Sequence, residues 1–502
     1  MSTSSTEESS GNQRTRLRCP AALSDVALAP AGRAQAGTPL AKNRHPPGPH
    51  AWPFIGNIFS FAANPIEFGQ QLAEEHGDLV RLTGAGMEFL LLFHPDDIER
   101  VLVKEHAKFV KDQFTHGLSD VLGQGLLLSE GDFWRRQRRL AQPAFHHERI
   151  QRYAAIMVER TRALSAKWRP GEVRDLRGDL MRLTLDIVTR CLFSADVGPA
   201  ADTMGQALDV VMTTYLGVLD TGLRFPSAWP TPANLRLRRA VRQIDGVVRP
   251  VVAARLRASQ AEEPKGDVGA SEGAKRPARL DLLDMLLSAR DDDGGRMSET
   301  QLRDEVVTLM LAGHETTALT LAFIFHALGQ HPSVHARLVA EVDAVLGGRE
   351  ATFADLARLP YTDAVVHESM RVYPPAWIVG RENTEPFEVG GYTIPPRTQF
   401  QIMTYALHRD PRWFDDPAVF RPERWLGGDL AKRLPRFAYF PFGGGPRVCI
   451  GNLFAKMEAA LVLATLLQSH SFQLASPEPL PLVPSITLRP SRAIRATLHA
   501  RR

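Results

Sequence analysis

The stretch from Phe442 to Gly451, FGGGPRVCIG, decides the fold of this chain. It places Cys449 in a glycine-rich loop, just before an apolar stretch from Leu453 to Leu467 that we predict to be a helix. Backbone N–H groups and the positive end of a helix both favour a thiolate, which is a natural axial ligand for haem iron. Taken alone, a cysteine is more often a small buried hydrophobic residue. No Gly-Lys-Ser/Thr follows the glycines, so a phosphate-binding loop is not supported.

The stretch resembles the haem-binding signature F-x-x-G-x-R-x-C-x-G of the cytochrome P-450 family. It matches all five fixed positions, namely Phe442, Gly445, Arg447, Cys449 and Gly451. The resemblance extends over about residues 46–502 and implies a mainly α fold with a smaller β region (α+β). In that fold, haem b lies between a long central helix and the helix after the cysteine loop, with Cys449 as the axial ligand of its iron.

The bulk composition fits an ordinary globular protein. The 502 residues are 44% hydrophobic and 23% charged, and the net charge of +4 is too small to indicate nucleic acid. The three cysteines, Cys19, Cys191 and Cys449, are too sparse for a disulfide framework and indicate a reducing, cytoplasmic compartment. Cys191 lies in an apolar run and is expected in the core.

The chain is predicted to form one catalytic domain, 46–502, after a disordered polar tail, 1–45. The tail lacks the apolar segment of a signal peptide or anchor, and no segment reaches the ~18 apolar residues of a membrane span. A flexible loop is expected at about 258–279, where glycine, proline and charged residues replace helical periodicity. The runs Leu79 to Thr83 and Glu88 to Phe93 predict a β-hairpin. We expect a soluble monomer.

A helix is predicted to begin after Ser298, a plausible N-cap with Gln301 three residues later. It contains the run from Ala312 to Thr317, AGHETT. A glycine, an acid and hydroxyls in a buried helix are costly unless they serve a purpose, and Gly313 removes a side chain where a flat macrocycle or O2 could approach. Threonine hydroxyls that cap carbonyls and a glutamate that faces water would explain the run without any activity.

This run also resembles a motif of the family, A-G-x-[DE]-T-T, which serves oxygen activation. The resemblance implies that Thr316 assists protonation of oxygen and that Glu315 relays protons.

Glu368 and Arg371 are three residues apart on a predicted helix, a spacing that is common on helix surfaces. Together with Arg424 in Pro422-Glu423-Arg424-Trp425, they resemble the family's E-x-x-R and P-E-R-[FW] pair. The resemblance implies a buried structural ion network that positions the cysteine loop.

The basic stretch that begins at Trp134 would ordinarily be a solvated helix face. It resembles the family's W-x-x-x-R motif, which implies that Trp134 and Arg138 meet a haem propionate, and that Arg447 and Arg381 reach the same carboxylates. Further basic residues predict a positive surface on the cysteine side: Arg135, Arg136, Arg139, Lys432, Arg433, Arg436 and Lys456. An acidic ferredoxin or a flavodoxin-type donor, with its NAD(P)H reductase, would dock there.

The substrate-facing segments of the family map onto apolar stretches of this chain, which favours a lipophilic substrate such as a fatty acid or a terpenoid. Lys111 or Arg224 could anchor a carboxylate, although exposed basic residues are the commoner interpretation of both. The residues predicted to face the substrate are Phe114, Leu118, Val121, Leu309, Ala312, Ala376, Trp377, Ile378, Ile486 and Leu488.

The sequence therefore predicts a haem-thiolate monooxygenase that uses O2 and two external electrons to hydroxylate or epoxidise a lipophilic molecule. A peroxygenase or hydroperoxide isomerase on the same fold is a second hypothesis, which the intact Glu315-Thr316 pair disfavours. A haem-based sensor or lipid-binding module without enzyme activity is a third, and the complete proton-delivery motif argues against it.

Overall fold

The computed structural model describes residues 45–52, 56–84, 86–194, 200–221, 229–261, 281–288 and 294–501. Most of them lie in helices, so the predicted mainly α fold with a smaller β region is confirmed. The helices are α1 (Ile58–Ala63), α2 (Pro65–His76), α3 (Pro95–Glu99), α4 (Gln113–His116), α5 (Ser119–Leu122), α6 (Gly131–Ala141), α7 (His147–Ser165), α8 (Leu176–Phe193), α9 (Ala200–Thr221), α10 (Pro232–Ala261), α11 (Leu282–Ser288), α12 (Glu299–Gln330), α13 (Pro332–Leu346), α14 (Pro360–Val372), α15 (Thr404–Leu407), α16 (Asp429–Arg433) and α17 (Asn452–Ser469).

The strands are short and form four small sheets among the described residues. The largest has the order β1-β2-β8-β5-β3, in which only the β2–β8 pair is parallel. The strands are β1 (Leu79–Gly84), β2 (Met87–Leu92), β3 (Phe109–Val110), β4 (Val173–Asp175), β5 (Val379–Asn383), β6 (Phe387–Val389), β7 (Tyr392–Ile394), β8 (Gln399–Ile402), β9 (His470–Leu474), β10 (Leu482–Pro484), β11 (Leu488–Pro490) and β12 (Arg495–Ala500).

Several local predictions are confirmed. Strands β1 and β2 pair as the expected antiparallel hairpin, with Leu79 opposite Leu92. Ser298 caps α12 through a capping box: its hydroxyl accepts from the Gln301 amide at 3.2 Å, and the Gln301 side chain accepts from the Ser298 amide at 2.7 Å. Cys191 is buried in α8.

Two boundaries differ from the sequence-based expectation. Helix α10 continues to Ala261, so the first four residues of the loop predicted at 258–279 are helical, and the rest of that loop lies outside the described residues. The 1–44 part of the tail also lies outside them, so disorder there stays a prediction.

Helix α12 runs through the core and positions the site. It is buried on all sides from Thr317 to Leu328, and Leu321, Phe323 and Ile324 are 0% exposed. The Phe323 ring stacks on Tyr373 at a centroid distance of 4.7 Å. Within the described part of the chain, α12 alone is long and apolar enough to cross a membrane, but its burial inside the protein is that of a core helix.

Candidate haem and substrate site

A cavity of about 400 Å³ lies between α12 and the cysteine loop. Cys449, Arg447 and Phe442 line it from the loop, and Ala312 and Thr316 line it from α12. The two motifs, more than a hundred residues apart in the chain, therefore share one cavity.

The cysteine loop is held by its own backbone. The Cys449 amide donates to the Phe442 carbonyl at 2.9 Å, and the Val448 amide donates to the Gly445 carbonyl at 3.1 Å. Gly445 has a φ of +67°, and a Cβ there would overlap the carbonyl oxygen of Leu102. The loop can approach this backbone only with glycine at that position. Gly451 precedes α17, and its carbonyl accepts from the Ala455 amide.

The Cys449 sulfur lies deep in the protein but is accessible because it faces the cavity. Burial raises the pKa of the Cys449 thiol, while the Gly451 amide and the charge of Arg138 act in the opposite direction. The expected stabilisation of a thiolate by backbone N–H groups is thus present but smaller than the cost of burial. A bound metal ion would supply the remainder, because coordination deprotonates a thiol outright.

A group of cations lies beside this loop. The Arg447 guanidinium lies over the Trp134 ring, 4.1 Å from its centroid, and donates to the Ser129 carbonyl at 2.8 Å and to the Glu130 carboxylate. Its Nη1 is buried without a hydrogen-bond partner among the described residues. Burial, with help from Arg447, lowers the pKa of Arg381 to about 10.

Lys111 belongs to the same group and was not predicted as a cofactor contact. It lines the cavity, and burial followed by the charges of Arg381 and Arg447 holds the pKa of its ammonium well below the usual value. The interpretation of Lys111 as an exposed residue is therefore wrong, whereas Arg224 lies outside the described residues.

These residues fit a haem. A sulfur faces the cavity, and the three cations Arg381, Arg447 and Lys111 outnumber the two nearby acids, Asp112 and Glu130, which suits the binding of propionates. Arg138 has a different contact in this structure: its Nη1 donates to the Val448 carbonyl at 2.9 Å, next to the cysteine.

On α12, Thr316 and Ala312 face the cavity, and the Thr316 hydroxyl donates to the Ala312 carbonyl at 2.8 Å. This is the capping contact that a threonine makes in any helix, and it leaves the lone pairs of the oxygen available as acceptors. Gly313 also lines the cavity. A Cβ there would lie 3.0 Å from a Val188 methyl group, so the glycine in addition allows α8 to pack closely on α12.

Glu315 is 1% exposed and makes an ion pair that the sequence analysis missed. Its Oε1 accepts from Arg489 Nε at 2.5 Å and from the Thr487 hydroxyl at 2.9 Å, while its Oε2 has no hydrogen-bond partner among the residues that the structure describes. Arg489 also donates to Asp209 at 2.9 Å, and the Asp209 side chain is 57% exposed. A continuous chain of charged groups therefore joins the surface to the cavity wall. The sequence signal for it was weak, because Thr487 and Arg489 alternate with the predicted Ile486 and Leu488 where the chain enters the short strand β11.

The residues Glu368, Arg371 and Arg424 come together as a buried network. Arg371 binds Glu368 through Nε at 2.9 Å and Nη2 at 2.8 Å, and Arg424 Nε binds the same carboxylate at 3.1 Å. Arg371 also donates to the carbonyl of Pro417 at 2.8 Å, which lies in the segment that leads towards the cysteine loop. The Trp425 indole adds a further donor to Glu368 at 2.9 Å.

The predicted substrate-facing residues divide between two cavities that share Leu118 and Ile486. Leu309, Ala312 and Ala376 line the cavity with Cys449. A neighbouring cavity of about 390 Å³ is lined instead by Phe114, Trp377 and Ile378. Trp377 is a fixed wall, 1% exposed, and its indole donates to the Ser485 carbonyl at 2.7 Å. Val121 and Leu488 are fully buried and line neither cavity.

The predicted basic surface is partly neutralised. Arg135 pairs with Asp132, Lys432 lies 3.8 Å from Asp429, and Arg436 lies 3.7 Å from Glu99. Arg433 lies 4.0 Å from Asp415. The positive potential there is therefore smaller than a count of basic residues suggests.

Comparison with known proteins gives the same family as the motifs. The sequence model described as Cytochrome P450 matches residues 46–495. Cyclooctatin synthase of Streptomyces melanosporofaciens is 38% identical over 427 residues, 84% of this chain and 89% of that protein. Cyclooctat-9-en-7-ol 5-monooxygenase of the same organism is 37% identical, over 83% of this chain and 87% of that protein. Pentalenene oxygenase of Streptomyces avermitilis is 34% identical, over 90% of this chain and 97% of that protein.

The match spans nearly the whole described chain and includes the cysteine loop, the AGHETT run and the ion network. Its cofactor is accordingly a haem with a thiolate ligand. The chain belongs to the cytochrome P450 family and is a cytochrome P450 monooxygenase.

Proposed function

We propose that this monooxygenase hydroxylates or epoxidises a compact, lipophilic molecule of the terpenoid type, using O2 and two electrons from a separate donor. The observation that carries the proposal is the apolar wall of the cavity opposite the cysteine. Leu309 and Ala312 of α12 form it together with Leu118, Leu122 and other leucines of the segment before α6. A wall of this kind binds its ligand by burial of apolar surface.

The distribution of charge favours a terpenoid over a fatty acid. Lys111, the cation considered as a carboxylate anchor, groups with Arg381 and Arg447 where the propionates of haem would lie. Lys456, which also lines the cavity, belongs to α17 on the cysteine side. A fatty acid carboxylate would therefore compete with haem for these cations.

The relatives give independent support. Two of them are named after the compound that they oxidise. Pentalenene is an unsaturated hydrocarbon, and cyclooctat-9-en-7-ol is an unsaturated alcohol. Both kinds of molecule offer C–H and C=C bonds and no carboxylate.

In the proposed mechanism, haem, when bound, supplies the activation of O2 and the transfer of one oxygen atom. Cys449 ligates its iron, and Trp134, Arg381, Arg447 and Lys111 hold its propionates, with Phe442, Gly445 and Gly451 shaping the loop. Arg138 acts differently: through the Val448 carbonyl it fixes the backbone beside Cys449.

Proton delivery is assigned to Glu315 and Thr316. Glu315 Oε2 carries no hydrogen bond from the described part of the chain, which leaves it available to a proton while Arg489 holds Oε1. Asp209 and Arg489 link this carboxylate to solvent. The Thr316 hydroxyl, one residue further on α12, faces the cavity, and its lone pairs can accept a hydrogen bond from the group that delivers the proton.

The electron donor is proposed to be a ferredoxin or flavodoxin-type protein with its NAD(P)H reductase, as the bacterial relatives suggest. The chain is proposed to act as a soluble cytoplasmic monomer. Because much of the basic surface on the cysteine side is paired with acids, we expect docking to be weakened only moderately by salt.

An optical titration tests the substrate class. The purified ferric holoenzyme is mixed with cyclic terpene hydrocarbons, terpene alcohols and fatty acids of equal carbon number. A ligand that displaces water from iron shifts the Soret band towards the high-spin position. We expect this shift with a cyclic terpene or its alcohol at micromolar concentration. A shift with fatty acids alone would overturn the proposed class.

A further inference from the structure

Three consecutive charged residues near the start of α12, Arg303, Asp304 and Glu305, are buried and are not explained by the proposed chemistry. They are 5%, 6% and 0% exposed. Burial of three ionisable side chains in a row is costly unless each finds partners. Their partners lie mainly in one segment, residues 117–129, which we call the leucine loop.

Each of the three residues binds the backbone of the leucine loop. Arg303 Nη1 donates to the Val121 carbonyl at 2.7 Å. Asp304 Oδ2 accepts from the Gln124 amide at 2.9 Å, and Glu305 Oε2 accepts from the Leu126 amide at 3.1 Å. Hydrogen bonds from backbone amides to carboxylates are stronger than those between neutral groups.

The charged residues are themselves fixed in place. Arg303 Nε donates to Asp245 of α10 at 2.7 Å, and its Nη1 also lies 3.1 Å from Asp304. Gln137 of α6 donates to Glu305 Oε1 at 3.2 Å. The contacts therefore connect α10, α12 and α6 to the leucine loop.

The loop has glycine where it meets α12. A Cβ on Gly123 would overlap the Asp304 carboxylate, and a Cβ on Gly125 would overlap the Thr308 hydroxyl. Gly123 also has a φ of +55°, whereas Gly125 does not adopt a positive φ. The loop backbone thus lies directly on α12, at a distance that side chains would not permit.

The other face of the loop forms the substrate wall. Leu118, Leu122, Leu126 and Leu127 line the cavity that contains Cys449. Leu118 also borders the neighbouring cavity. At its far end the loop is joined to the cysteine loop, because the Ser129 carbonyl accepts from Arg447.

We propose that Arg303, Asp304 and Glu305 are positioning residues that hold the leucine loop on α12 and so determine which substrates fit the cavity. The inference rests on the proposed function of the cavity. If the three residues had a purely structural role, replacing one would lower overall stability without a specific effect on the loop. The experiment below distinguishes this role from positioning of the loop.

Hydrogen exchange of the haem-loaded protein measures the loop directly. Glu305→Met removes the acceptor for the Leu126 amide, and Glu305→Gln keeps one. We expect Glu305→Met to accelerate exchange in peptides covering residues 118–128 by about 10- to 100-fold, the effect of losing one charge-assisted hydrogen bond. Glu305→Gln should restore most of the protection. Burial raises the pKa of Glu305 to about 7, so the comparison is made at pH 8, where the wild-type carboxylate is mainly ionised.

Asp179→Asn is the matched control. Asp179 is 3% exposed and accepts from Trp168 at 3.0 Å and from Arg174, so it is also a buried, hydrogen-bonded carboxylate, and none of these contacts involves the leucine loop. It should lower the midpoint of thermal unfolding but leave loop exchange at the wild-type rate. Equal exchange in the Met and Gln variants, or acceleration spread evenly over the chain, would overturn the proposal.

A second variant covers the case in which Glu305→Met does not fold. Gly125→Ala leaves every carboxylate in place and displaces the loop by contact with Thr308. We expect faster exchange at residues 118–128 and at least a 10-fold change in the relative affinities of small and large terpenes, with haem content unchanged. Wild-type exchange and selectivity in this variant would contradict the proposal. If no terpene binds the wild type, the proposed substrate class fails, whereas the exchange results still decide the role of the three residues.

Discussion

Glu368 and Glu315 are both buried glutamates paired with arginine, yet their surroundings differ. Glu368 uses both oxygens, which accept from Arg371, Arg424, Trp425 and the Arg421 amide. Within the described structure, Glu315 accepts hydrogen bonds through Oε1 alone, and its Oε2 has no partner. The first carboxylate is saturated with donors and has no capacity to exchange a proton. The second lines the cavity and keeps one oxygen without a hydrogen bond from the described residues, so the number of donors distinguishes a structural carboxylate from a reactive one.

The largest effect is expected from Arg371→Ala. It leaves the Glu368 charge buried with fewer donors, which costs about 3–5 kcal/mol, a large part of the stability of a typical domain. We expect little folded, haem-containing protein, as measured by haem content and thermal unfolding. Arg421→Ala is the control, since only the backbone of Arg421 binds Glu368, and its side chain binds Asp416 at the surface. Equal losses of haem content and thermal stability in both variants would show that the side chain of Arg371 is no more important to Glu368 than that of Arg421.

Glu315→Gln should affect turnover and leave the fold intact. Because amides do not donate and accept protons as carboxylates do, we expect the turnover rate to fall by about 100-fold. Haem content and the substrate-induced spin shift should be retained. Thr487→Val removes one hydrogen bond to Glu315 but keeps the carboxylate, and it should turn over within several-fold of wild type. Unchanged turnover of Glu315→Gln would exclude the proposed relay.

The Thr316→Ala variant should still take up electrons but should form less product from them. Without the hydroxyl in the cavity, protons are delivered to the wrong position, and reducing power is lost as peroxide. We expect product formed per NADPH consumed to fall several-fold while haem content stays at the wild-type level. Thr320→Ala is the control, since its hydroxyl caps the Thr316 carbonyl one turn further along α12 at 2.9 Å. An unchanged product yield in Thr316→Ala would disprove the role.

A further buried glutamate, Glu458 of α17, extends the comparison to a carboxylate whose two oxygens both lack a hydrogen-bond partner among the described residues. Burial raises the pKa of Glu458 well above its usual value, and the nearby Thr317 hydroxyl opposes this only in part. From about pH 4.5 up to the raised pKa, the folded protein keeps a proton that the unfolded chain has released, so its free energy of unfolding falls as pH rises.

Glu458→Gln should remove this pH dependence. We expect the variant to become more stable than wild type as pH increases, by about 1–3 kcal/mol once the wild-type carboxyl ionises. Denaturant unfolding of both proteins between pH 5 and pH 8 measures the difference. Parallel stability curves across this range would show that the carboxyl is ionised in both states.

The smallest effect is expected from Trp425→Phe. It removes one donor from Glu368 and should lower the free energy of unfolding by about 1 kcal/mol. Trp413→Phe is the matched control, because the Trp413 indole nitrogen is buried without a hydrogen-bond partner in the described structure. A larger loss in the control would indicate that ring packing, rather than the indole donor, stabilises this region.

Local signals in the sequence predicted local structure well. The capping box of α12, the β1–β2 hairpin and the glycines of the cysteine loop each depend on residues a few positions apart, where backbone geometry limits the choices. The boundary of α10 was misplaced because charged and small residues near Ala258 are compatible with either a helix end or a loop.

Contacts between distant residues were not accessible to the same reasoning. Arg489 pairs with Glu315 across 174 positions, and Asp304 holds Gln124 across 180. Nothing in the spacing of a single sequence indicates such pairs. Gly313 shows the related difficulty, since its close approach to Val188 of a neighbouring helix is not indicated by the motif that contains it.

The cations Lys111, Arg381 and Arg447 have a consequence for production of the protein in cells. They lie together, and among the described residues the two nearby acids, Asp112 and Glu130, do not offset all three, so a chain that folds before it captures haem holds like charges against one another. Binding of haem then increases the free energy of unfolding by mass action. The increase grows with the logarithm of the haem concentration divided by its dissociation constant. The yield of intact enzyme in an expression host should therefore follow the supply of haem precursor more closely than the rate of translation.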